Sequence, residues 1–117
     1  MALFKKDTYD GWALKTDAYE RTDFFHNELV DAINRVAVWN MGFLIVESLR
    51  SGAYMQAKGL GNGKVHLEIR VDKATGGFLL FASDGYDVNE TADILRDFIL
   101  GRAMPDLNDG WYVVFEK

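Results

Sequence analysis

Apolar positions recur along this chain with two different periods. Residues 64–71 give the cleanest signal: Val65, Leu67, Ile69 and Val71 alternate with Lys64, His66, Glu68 and Arg70. A period of two puts one set on each face of a strand, so this segment demands a sheet with one buried and one wetter face. Residues 42–48 are mostly apolar and rich in β-formers, which predicts an inner strand. Residues 53–58 and 77–83 continue the strand series, and 110–116 is apolar on both faces, so it is either central or part of a partner surface. Residues 9–16 alternate through Trp12, Leu14 and Thr16 as a short edge strand would. The connections 59–63 and 72–77 are turn chemistry rich in Gly, Asn and Asp, and short connections imply antiparallel hairpins.

Two segments switch to the helical period. Over residues 23–37, Phe25, Leu29, Ala32, Ile33 and Val36 share one face, while Asn27, Glu28, Asp31, Asn34 and Arg35 share the other. Thr22 or Asp23 is the expected N-cap, since either side-chain oxygen can accept from a free backbone N–H. Over residues 88–100, Val88, Ala92, Leu95 and Ile99 form the apolar stripe. Asp87 with Glu90 three residues later fits a capping box, and Gly101 fits the residue just past the helix end. The expected architecture is a single α+β domain over residues 1–117. It has a mostly antiparallel sheet of about five to six strands and two amphipathic helices, in the order (β)αββββαβ.

Composition narrows the function classes. The chain has 117 residues, 49% of them hydrophobic and 14% aromatic, enough to bury a core without metal or crosslink. It has no cysteine, which excludes disulfides and thiolate metal sites. The N-terminal residues lack the apolar run of a signal peptide, and no apolar stretch is long enough to cross a bilayer. These features predict a cytoplasmic protein. His26 and His66 are the two histidines, and neither lies in a metal-ligand or catalytic spacing. The glycines of 59–63 precede a strand, not the helix that a phosphate loop requires. No cofactor, no metal and no catalytic set is therefore expected, and the chain reads as a binding protein rather than an enzyme.

The net charge of −5 argues against general nucleic-acid affinity. The segment 84–109 holds seven acids (Asp84, Asp87, Glu90, Asp93, Asp97, Asp106 and Asp109) and two bases (Arg96 and Arg102), and so carries the whole of that charge. On the second helix, Glu90, Asp93 and Asp97 project nearly opposite the apolar stripe. A solvated face with acids in its first turn accounts for each residue singly. As a set, they lack the interleaved lysines of a salt-bridged face. Asp84 and Asp87 extend them into the preceding loop, and Tyr86, Ile94 and Leu100 lie alongside. The expected partner-binding surface is therefore Asp84, Tyr86, Asp87, Glu90, Asp93 and Asp97, aimed at a basic partner.

Residues 24–102 resemble the immunity proteins of bacterial polymorphic-toxin systems, including contact-dependent growth inhibition. The resemblance lies in the helix 27–36 and the apolar strand Phe43-Leu44-Ile45-Val46-Glu47. It continues through Tyr54-Met55-Gln56-Ala57-Lys58-Gly59, then Leu67-Glu68-Ile69-Arg70, and a helix ending Phe98-Ile99-Leu100-Gly101. It implies an inhibitor of a cognate protein toxin with a basic catalytic domain, often a nuclease, and no catalytic residues in this chain. A competing reading is a peptide-binding chaperone of the secretion type, with Trp111, Tyr112, Tyr54 or Met55 exposed in a groove. A small enzyme using Glu68 or His66 as acid or base ranks last.

Overall fold

The structure is a computed structural model that describes residues 8–102 and 104–117. Its strands are β1 (Trp12–Thr16), β2 (Glu20–Thr22), β3 (Phe43–Ser48), β4 (Tyr54–Gly61), β5 (Lys64–Asp72), β6 (Phe78–Tyr86) and β7 (Tyr112–Glu116). Its helices are α1 (His26–Ala37) and α2 (Val88–Leu100). The strands form one antiparallel sheet in the order β2-β1-β3-β4-β5-β6-β7. The α+β class stands, with seven strands in place of the expected five to six. The added strand is β2, whose Glu-Arg-Thr is exposed throughout and too short and polar to show a hydrophobic period.

Alternation along the strands builds the core. Leu14, Leu44, Val46, Met55, Ala57, Val65, Leu67 and Ile69 are fully buried on one sheet face. Leu29, Ala32, Ile33 and Val36 of α1, with Ala92, Leu95 and Ile99 of α2, pack onto them as one cluster. Each large side chain in that cluster contributes about 1.5–3 kcal/mol through burial. Both helices therefore cover the same face. Lys15, Ile45, Glu47, Tyr54, Gln56, His66, Glu68 and Arg70, the alternate strand positions, lie on the other. Met55 is fully buried, so it belongs to the core and not to a peptide groove.

The close approach of α1 to the sheet depends on one glycine. A Cβ on Gly59 would stand 1.9 Å from the Val36 carbonyl oxygen, well inside any tolerable contact. The same glycine's carbonyl accepts from Trp39 Nε1 at 2.9 Å, which ties the end of α1 to β4.

The helix starts differ from each other in an instructive way. At α2, Asp87 accepts from the Glu90 N–H at 2.8 Å and Glu90 Oε1 accepts from the Asp87 N–H at 3.1 Å, the reciprocal box read from the sequence. Gly101 closes the helix at φ 67°. At α1, neither Thr22 nor Asp23 caps the helix. The cap position falls to Phe25, whose N–H donates to Glu28 Oε1 at 3.0 Å. Asp23 is engaged one turn earlier, where it accepts from the Gly11 N–H at 2.8 Å.

β7 proves to be the sheet edge rather than a central strand. Among the described residues it pairs with β6 alone, and Tyr112, Val113, Val114 and Phe115 are each about half exposed. Trp111, just before it, is half-buried against the core with its ring 6.4 Å from that of Tyr86. Among the described residues, no helix is long and apolar enough to cross a membrane.

Candidate functional site

The acidic segment runs continuously along the chain, but the fold divides it between two sides of the molecule. Asp84 lies near the end of β6, on the sheet face away from the helices, directly opposite His66. One residue later the ladder slips: Tyr86 pairs with Val65, and Gly85 is the extra residue, at φ 91°. A bulge of this kind breaks the two-residue alternation. Tyr86 therefore turns to the helix side, where its ring joins the core and its hydroxyl bonds Ser83 Oγ at 2.9 Å. Asp84 and Tyr86, two residues apart, face opposite ways.

The rest of the set belongs to α2. Asp87 and Glu90 form the capping box, so one carboxylate oxygen of each is held by backbone N–H groups. Glu90 and Asp93 are exposed and Asp97 is partly so. Among the described residues, no hydrogen bond or ion pair engages the side chains of Asp93 and Asp97. Asp97 borders a shallow depression of about 120 Å³ that it shares with Ile94, Met104 and Pro105. Leu100 and Met104 add exposed apolar surface nearby. The structure thus keeps Glu90, Asp93 and Asp97 on one outward stripe with Asp87 at its head, and removes Asp84 and Tyr86 from it.

Asp84 instead belongs to a cluster assembled from three strands. His66 Nδ1 and Asp84 Oδ1 are in hydrogen-bond contact, and His66 Nε2 meets Glu68 Oε2 at 2.9 Å. The hydroxyl of Tyr112, on β7, donates to Asp84 Oδ2 at 2.8 Å. His66 and Glu68 are largely buried side chains while Asp84 is nearly half exposed. Both ring nitrogens therefore face carboxylates, an arrangement that suits an imidazolium with two N–H donors.

The electrostatics follow from that geometry. Burial opposes protonation of His66, but the hydrogen bonds to Glu68 and Asp84, with the charges of both, outweigh it and raise the histidine above its ordinary value. The bond to His66 holds Asp84 below the usual carboxylate range against the cost of burial, with help from Tyr112. Its bond to Asp84 raises the Tyr112 phenol in turn. The i,i+2 placement of His66 and Glu68 on one strand face was readable from the alternation. Asp84 and Tyr112 were not, because placing them needs the cross-strand register, which a bulge shifts.

Further along the same sheet face, Lys15 and Glu47 form an ion pair at 2.6 Å. Together with Ile45, Tyr54 and Gln56 they line a concavity of about 200 Å³. Among the described residues, no group of three or more histidine and carboxylate side chains is placed to hold a metal ion. Compared with known proteins, the chain matches no family model, no curated protein and no solved structure.

Proposed function

We propose that this chain is an immunity protein that binds and neutralises a cognate bacterial toxin domain in the cytoplasm. The toxin domain is basic, as a nuclease is, and the chain itself performs no chemistry. One observation carries the reading: the outward stripe of α2 presents carboxylates that the fold leaves without counter-charges among the described residues, beside exposed apolar side chains. Like-signed charge bordering an apolar patch suits an interface core with a polar rim. A field of that sign also steers a basic partner and speeds its association. A nuclease site is positively charged so that it can hold phosphate, and an acidic helix face can occupy it in place of nucleic acid.

The test is capture of the partner from the native strain with the tagged chain, identification by mass spectrometry, and association kinetics of the purified pair. The reading expects a folded basic toxin domain in a 1:1 complex, with an association rate that falls steeply as salt is raised. A partner that binds equally fast in low and high salt contradicts it.

The exposed aromatic edge of β7 favours a second reading, a peptide-binding module of the secretion-chaperone kind. An unpaired edge can accept an extended segment as an added strand. In that case the captured partner is an unfolded or extended segment, and its affinity responds little to salt.

A further inference from the structure

The hydrogen-bonded chain Glu68–His66–Asp84–Tyr112 crosses from β5 through β6 to β7, and it ends on an edge strand whose every residue is exposed. Two irregularities lie beside it. The β5–β6 ladder slips between Val65 and His66, and the β6–β7 ladder slips between Leu80 and Phe81. Bulges interrupt the backbone hydrogen bonding of a ladder. Side-chain bonds supplement the backbone pairing of Tyr112 with Ala82 in holding the start of β7 to the sheet. Ser83 adds one such bond, donating to the Gly110 carbonyl at 2.8 Å.

Few charged groups surround the ring. Lys58 of β4 stands directly opposite His66 in the register. Lys64 and Glu68 flank it on β5, Asp84 faces it from β6, and Tyr112 reaches Asp84 from β7. The lysine charges oppose protonation of the ring and the carboxylates favour it. Only the carboxylates make direct contact with the ring nitrogens.

We propose that His66 is a proton-operated clasp that fastens the edge strand β7 to the sheet through Asp84 and Tyr112. With the ring protonated, each nitrogen carries a donor and both carboxylates are satisfied. With the ring neutral, one nitrogen presents a lone pair to a carboxylate, and two negative charges remain with no positive charge between them. Asp84 is the more exposed of the two carboxylates and is free to turn toward water. Its departure releases the Tyr112 hydroxyl and loosens β7, baring more of the apolar surface of Val113 and Phe115. The device works independently of the toxin-binding reading, because it involves the other face of the sheet.

The sign of the pH dependence follows from the two shifts. His66 is raised, so its contribution is complete below its ordinary 6.5 and is lost as pH rises through the folded value. Asp84 is lowered, so its contribution is complete above its ordinary 3.8 and is lost as pH falls through the folded value. The clasp is therefore closed between these limits and opens on either side.

Amide hydrogen exchange across the pH range tests the clasp, with intrinsic exchange rates corrected and the His66 ring titration followed by NMR on the same samples. Protection of the β7 amides should fall by roughly fivefold, the scale of a water-screened ion pair, with a midpoint that tracks the ring, while β3 stays unchanged. In His66→Gln the step should vanish. In Tyr112→Phe, which removes only an exposed hydroxyl, the ring should still titrate while β7 no longer follows it. Three results overturn the proposal: β7 protection that stays flat through the ring titration, a step of equal size in His66→Gln, or a matching loss in β3.

Discussion

Two sets of carboxylates, on opposite sides of the molecule, do different work in this fold. Glu68 and Asp84 on the open sheet face are answered within the molecule, by His66 and by the Tyr112 hydroxyl. Asp93 and Asp97 on the outward side of α2 are answered by nothing among the described residues. Charge satisfied internally contributes to holding strands together and presents little net field. Charge left unanswered costs some self-repulsion and projects its field to solvent. The comparison teaches that the acidity of a segment is no guide to its use until the face each side chain takes is known. Here a single bulged glycine and the turn into a helix decide it.

The largest expected effect comes from undoing the platform under the outward set. Leu95 is fully buried beneath α2. Leu95→Ala should cost about 2–5 kcal/mol, read by urea denaturation, and should weaken partner binding only as far as α2 loosens. A smaller effect isolates the head of the helix. Asp87→Ala removes the side-chain acceptor for the Glu90 N–H and should lower stability by about 1 kcal/mol, the usual weight of an N-cap. That loss should leave the open-face cluster undisturbed.

The internally answered set should reveal itself through pH. Stability measured from pH 5 to 9 should decline as His66 loses its proton, because a raised histidine stabilises the fold only while charged. The decline should be at most about 1 kcal/mol, since Asp84 is nearly half exposed and water screens the pair. His66→Gln should flatten that part of the profile. A profile unchanged by the substitution would place the pH response elsewhere.

Much of this division lay within reach of the sequence, and the rest did not for identifiable reasons. α2 was legible end to end, because its cap, stripe and closing glycine are local signals that agree with one another. β5 was legible for the same reason, and with it the shared face of His66 and Glu68. The start of α1 was misplaced because Asp23, a good cap by type, is drawn to the Gly11 N–H instead. β2 escaped notice because three polar residues have no period. Asp84 was grouped with the helix acids because chain proximity was the one guide available. Its true neighbours, His66 and Tyr112, lie 18 and 28 positions away and depend on registers that two bulges alter. β7 read as central or as partner surface since both of its faces are apolar. An alternation that is apolar on both faces does not by itself tell an edge strand from an inner one.

The most direct test of the central claim compares the two sets in one assay. Asp93→Lys with Asp97→Lys and, separately, Asp84→Asn are measured for affinity and salt-dependent association with the captured toxin domain. Each variant is first checked for an unchanged fold. The helix pair should lose about a hundredfold or more in affinity, the scale of close charge pairs across an interface. Asp84→Asn should bind as the parent chain does. Full affinity in the helix variant, or an equal loss in Asp84→Asn, would contradict it.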